Sequence, residues 1–137
     1  MIVADTSGLL ALFNQNEPGH PRVGEIISTT DDMLVVSPYV VAELDYLLAT
    51  RLGIDAELAV IAELAGGAYE LAQLTPDELV ECGAVIARYR DQAIGVTDAS
   101  IAVLARRFGT RTLLTLDRRH FDVIRPLDGG RFKLLPG

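Results

Sequence analysis

The chain has 137 residues, 50% of them hydrophobic and 23% charged, with a formal net charge of −7. That length suits one domain spanning residues 1–137, the composition excludes a disordered chain, and a lone cysteine, Cys82, excludes a disulfide framework or a thiolate zinc site. No apolar run reaches the ~18 residues of a membrane span, and the opening MIVADTS carries no secretory signal, so a cytoplasmic globular protein is expected.

Met1 to Ala4 is a short apolar run and reads as a strand. Ser7 is placed to cap a helix through Phe13, ended by Asn14-Gln15-Asn16 and Pro18. Val23, Ile26 and Ile27 share one face of a second helix from about Pro21 to Ser28. Met33 to Val36 is a second strand, too short for a helix. Ser37-Pro38 then opens a helix with a preferred cap and first residue. Val40, Val41, Leu44, Leu47 and Leu48 form its apolar stripe, and Gly53 closes it. Asp55 to Leu64 repeats that pattern, and Tyr69 to Leu74 reads as a third strand. Thr75 caps a helix carried to about Arg90, and Thr97 caps another that runs to Phe108. Thr112 to Leu116 is a strand that stops at Asp117, and Phe132 to Leu135 follows a Gly129-Gly130 turn as a last edge strand. Short apolar strands alternating with helices predict a three-layer α/β/α domain with a central, mainly parallel sheet.

The charge is unevenly spread: residues 1–68 carry −8, residues 69–137 carry +1, and residues 100–137 carry +5. The whole-chain value argues against generic nucleic-acid binding, while the basic last quarter leaves room for it. Eleven of the twelve basic residues are arginine, which suits bidentate phosphate contacts.

Ligands of open parallel sheets bind outside the carboxyl ends of the strands. Asp5 directly follows the first strand and Asp117 the fourth, so both project from the same edge. Asp98 falls in the first turn of its helix among Ala99, Ile101 and Ala102. Periodicity leaves Glu43 and Asp45 equivalent as acids beside the third helix's apolar stripe. Each acid alone is as readily a turn or cap residue. Together they occupy otherwise apolar segments, where unpaired carboxylates are costly. No lysine lies in these segments, and their one arginine, Arg51, sits at the far end of its helix. A divalent cation would supply the missing counter-charge, and an all-oxygen donor set suits Mg²⁺ or Mn²⁺ rather than zinc.

The segments VADTSGLLAL, SPYVVAELDYLL, GVTDASIAVLA and LLTLDRRHF resemble the four acidic motifs of PIN-domain ribonucleases, and more narrowly of VapC-type toxins. Successive acids are separated by 38, 55 and 19 residues, and the resemblance spans nearly the whole chain. It implies Asp5, Glu43, Asp98 and Asp117 as metal-binding catalytic acids, which settles the tie in favour of Glu43. Thr6 or Ser7 matches the small hydroxyl residue after the first acid, and Thr115 the hydroxyl two before the last. Also implied are Mg²⁺-assisted hydrolysis of structured RNA such as tRNA or rRNA, a VapB-type antitoxin partner, and a homodimer.

Arg118 and Arg119 are the expected contacts to RNA phosphates, His120 near Phe121 reads as a structural loop residue, and Leu9, Leu12 and Phe13 suit either core or interface. A haloacid-dehalogenase-type site is excluded by Ser7, where a second Asp is required. The competing reading is a non-catalytic PIN-fold module that only docks RNA or protein.

Overall fold

Ile2-Val3-Ala4 and Leu34-Val35-Val36 are apolar at every position, so neither offers a face to water, and each forms a strand buried throughout. In the computed structural model, which describes residues 1–137, these are β1 (Ile2–Ala4) and β2 (Leu34–Val36). With β3 (Tyr69–Leu71), β4 (Thr112–Leu114) and β5 (Lys133–Leu135) they build one sheet in the order β3-β2-β1-β4-β5. Every strand pair is parallel. The mainly parallel sheet expected from the alternation is therefore wholly parallel. The chain steps outward from β1 to β3 and then returns to the other side of β1, so the order reverses between β1 and β4. In such sheets that reversal opens a crevice at the carboxyl edge.

Seven helices flank the sheet: α1 (Thr6–Phe13), α2 (His20–Thr29), α3 (Pro38–Arg51), α4 (Ile54–Ala65), α5 (Pro76–Arg88), α6 (Val96–Arg107) and α7 (Arg118–Phe121). α6 is the central one. Ala99 to Ala105 are buried without a break, because the helix touches β1, α3 and α5 on different sides. Its alanines let those neighbours approach. Leu9 is fully buried, and Leu12 and Phe13 pack against the core; these three residues belong to the interior.

Several element ends differ from expectation. α1 begins at Thr6 with Asp5, not Ser7, at its N-cap, and the Asp5 side chain makes no capping bond. α6 begins at Val96 with Gly95 as N-cap, leaving Thr97 inside the first turn. β3 stops at Leu71 and β4 at Leu114, because Ala72 and Thr115 each keep one ladder bond before the chain turns away. α5 ends at Arg88, and a 3-10 turn over Arg90–Gln92 follows it. The segment after Asp117 coils into α7 rather than a loop. By contrast, Ser37 caps α3 through the Tyr39 N–H at 3.2 Å. Thr75 and Glu78 close a reciprocal capping box on α5.

One glycine is required by close approach. Gly8 faces β4 so tightly that a Cβ would stand 2.5 Å from the Leu114 carbonyl oxygen. Gly8→Ala should therefore destabilise the fold by about 1–3 kcal/mol despite alanine's better helix propensity. Urea unfolding reads this directly, and a variant as stable as the parent would refute the close seating of α1.

Candidate active site

Asp5 leaves the end of β1 into the crevice, and the residue is 5% exposed. Two hydroxyls reach its Oδ2: Thr115 Oγ1 donates at 2.8 Å and Ser7 Oγ at 3.1 Å. Both are themselves acceptors for the chain beyond β4. Ser7 Oγ takes the Leu116 N–H at 2.9 Å, and Thr115 Oγ1 takes the Asp117 N–H at 2.9 Å. Each hydroxyl has a single proton, and both protons point at Asp5. The 3.2 Å approach between Ser7 and Thr115 oxygens is consequently a contact of two donors committed elsewhere. This net ties α1 to the β4–α7 connection and fixes Asp5 relative to Asp117.

A second tie fixes Glu43 relative to Asp98. Ser37, the cap of α3, shares a buried 2.7 Å hydrogen bond with Ser100 of α6, and Ser100 Oγ lies 2.6 Å from the Thr97 carbonyl. The helices carrying the two acids are thus joined near their N-termini. Asp5, Glu43, Asp98 and Asp117 all line one cleft of about 510 Å³, together with Thr6, Ser7, Glu17, Arg51 and His120. Glu43 stands exposed at its rim, whereas Asp5 lies at its floor. Asp45 does not line the cleft. It turns toward α4, where its carboxyl faces Glu57 and pushes the Glu57 pKa up.

Crowding is visible in the acid–base properties. Burial pushes the Asp5 carboxyl above its ordinary range, against the pull of the Thr115 and Ser7 hydroxyls. Asp98 is raised to about 6, first by burial and then by the Asp5 charge, with His120 acting against both. No three of these side chains are already gathered about a single ligating point. As a donor set they nevertheless fit a hard divalent cation: four carboxylates, adjacent hydroxyls, no thiolate and excess negative charge in one cleft.

The PIN domain family model matches residues 2–125. A curated relative, Ribonuclease VapC26 of Mycobacterium tuberculosis, is 57% identical over 135 residues, which cover 98% of this chain and 100% of the relative. The chain belongs to the PIN-domain family, in its VapC group. Solved VapC structures share the fold. That of M. tuberculosis VapC20, described as a sarcin-ricin loop cleaving toxin, superposes with a TM-score of 0.80 at 22% identity, covering 85% of this chain and 90% of that one. DNA-bound VapBC from Salmonella typhimurium matches with a TM-score of 0.65 at 23% identity, covering 98% of both chains.

Against this PIN frame, two residues emerge that sequence reasoning passed over. His120 is not a loop residue but part of α7, and its Nδ1 lies 3.0 Å from Asp98 Oδ2 and 3.3 Å from Asp117 Oδ2. Neither oxygen is aligned for a hydrogen bond, so the contacts are those of an imidazole ring placed between two carboxylates. Its spacing of three residues from Asp117 was the available signal, since that separation puts two side chains on one helix face. Arg51 is the other: the far end of α3 bends no distance away from the acids but borders their cleft. Arg118 and Arg119, the expected phosphate contacts, stand exposed on α7 outside the cleft, and Arg118 faces Asp122 at 3.9 Å.

A carboxyl whose folded pKa exceeds its unfolded value contributes stability only while protonated. For Asp98 that contribution is complete below about pH 4 and lost as pH rises through about 6. In EDTA, Asp98→Asn should raise the melting temperature at pH 7 by roughly 3 °C, about 1 kcal/mol, and lose the advantage near pH 4. Scanning fluorimetry across that range checks it; no gain at pH 7 would mean the acids do not repel.

Proposed function

We propose that the chain is a Mg²⁺-dependent endoribonuclease that hydrolyses phosphodiester bonds in structured RNA, tRNA or rRNA, as the toxin of a type II toxin–antitoxin pair. The observation that carries this reading is the meeting of Asp5, Glu43, Asp98 and Asp117, from four separate segments, in one cleft at the sheet's reversal point. Beyond the cap that Asp117 makes on α7, the four share a space in which the charges of Asp5, Asp117 and Glu43 all push the Asp98 carboxyl up. A binding module would gain nothing from that cost.

The four acids would hold Mg²⁺, or Mn²⁺ in its place. The bound cation would polarise a water for attack on phosphorus and offset charge on the phosphate oxygens. The chain's own contribution is placement. Ser7 and Thr115 orient Asp5 at the floor and favour its ionised form against the effect of burial. The Ser37–Ser100 tie holds Glu43 opposite Asp98. The Thr6 hydroxyl, buried beside them without a partner, has a free donor and acceptor at the cleft wall.

Partner recognition follows from the same reading. Relatives are solved as toxin–antitoxin complexes, one of them from Klebsiella pneumoniae, and a VapB-type antitoxin is the expected inhibitor here. Ile54, Leu58 and Ile61 are 66%, 57% and 44% exposed along one face of α4, an apolar stripe suited to a protein partner, whether antitoxin or a second copy in a homodimer. No helix is long and apolar enough to cross a membrane, and RNA cleavage would be cytoplasmic.

Purified protein on total cellular RNA should cleave in Mg²⁺ and stop in excess EDTA. Asp5→Asn should lower the rate at least 100-fold while keeping the fold by circular dichroism. Equal cleavage by both proteins would defeat the assigned site. RNA binding without cleavage by either would favour the docking module.

A further inference from the structure

The cleft is lined by five carboxylates, Asp5, Glu17, Glu43, Asp98 and Asp117, and by one guanidinium, that of Arg51. Any polyanion entering it meets a surplus of negative charge, which a cation held by four of the acids relieves only at their end. The other end belongs to Arg51 and Glu17. Arg51 occupies the last turn of α3, eight residues beyond Glu43, or about 12 Å along the helix. Its Nη1 lies 3.1 Å from Glu17 Oε1 in the connection between α1 and α2. The two side chains are 51% and 24% exposed, so the pair contributes little to stability and is cheap to part. A carboxylate and a phosphate offer a guanidinium the same kind of paired acceptor oxygens.

We propose that Arg51 is the phosphate-binding residue of the cleft, and that Glu17 occupies its guanidinium until RNA displaces it. A phosphate flanking the scissile one would take the Glu17 position, so that substrate is held at one end by the metal acids and at the other by Arg51. The inference rests on the ribonuclease reading above. It moves the direct phosphate contact from Arg118 and Arg119, outside the cleft, to a residue that borders it. Glu17 then sets a threshold: an anion must compete with it, which a polyvalent RNA backbone does better than a single small anion.

The pair gives the test opposite signs. RNA affinity is read by fluorescence polarisation with labelled total tRNA, and cleavage of total cellular RNA in Mg²⁺ gives kcat and KM. Arg51→Gln should weaken binding about tenfold, raise KM with kcat nearly unchanged, and reduce the slope of log Kd against log salt by about one. Arg51→Lys should recover part of the loss, and Glu17→Gln should tighten binding roughly two- to fivefold. The melting temperature of Arg51→Gln should stay within about 2 °C of the parent.

The inference is overturned if Arg51→Gln and Glu17→Gln shift binding in the same direction, or if neither shifts it. It is equally overturned if an Arg118→Gln, Arg119→Gln double variant carries the tenfold loss instead. A parent protein that neither binds nor cleaves RNA refutes the ribonuclease reading itself, whereas a parent that cleaves normally alongside an unaffected Arg51→Gln refutes only this assignment.

Discussion

Carboxylates forced together in a partly dry crevice repel one another, and the chain's architecture answers to that repulsion. Asp5 is almost fully buried and Asp98 largely so; burial raises both carboxyls, Asp117 adds to the rise of Asp5, and the Asp5 charge adds to that of Asp98. Left to themselves the acids would turn outward to water. They remain because each is attached to an element that has no freedom to move: the end of a central strand, the first turn of a helix buried on all sides, and the cap of a four-residue helix. A rigid α/β core thus keeps like charges close, an arrangement that the proposed cation would relieve.

The hydroxyl groups show how finely that is arranged. Ser7 and Thr115 come from opposite sides of the reversal point and both donate to the same oxygen of Asp5, while accepting N–H groups from the strand's continuation. Each therefore acts on two things at once, the orientation of the Asp5 carboxylate and the path of the chain toward Asp117. Gly8 is part of the same device. Without its missing side chain α1 could not lie close enough to Leu114 for Ser7 to reach across.

Much of this was legible in the sequence, for reasons that can be named. Val3 and Val35 sit in runs with no polar position, which only a doubly covered strand accommodates, so both strands and the acids at their ends could be placed. Ser37-Pro38 and Thr75-Pro76 carried unambiguous cap chemistry, and both helices begin there. The start of α6 was misplaced because Gly95 caps by backbone alone, while Thr97 advertised a cap it does not make. α7 was missed because four residues carry too little periodicity to be read, and with it went the position of His120. Arg51 was discounted by distance along its helix. What brought it to the cleft is the packing of α3 against α1, a long-range fact that no local pattern contains.

The basic tail also changes meaning once folded. Arg106 and Arg107 are turned back onto α5, where they meet Glu81 and Glu78, and Arg107 holds the Glu78 carboxyl down to about 2. Arg111 faces Asp128 at 3.5 Å. Three of the eight basic residues of this segment are therefore spent in joining α5 to α6 and in tying β4 to the turn before β5. Arg119, Arg125, Arg131 and Lys133 have no ion-pair partner, yet none of them borders the cleft. They can draw a polyanion toward the molecule through a field that salt screens over about 10 Å. They cannot hold it against five carboxylates. Under the proposed function, retention would come from cations inside the cleft, so the five of the chain's nineteen acids that gather there describe what the site would bind before RNA could stay.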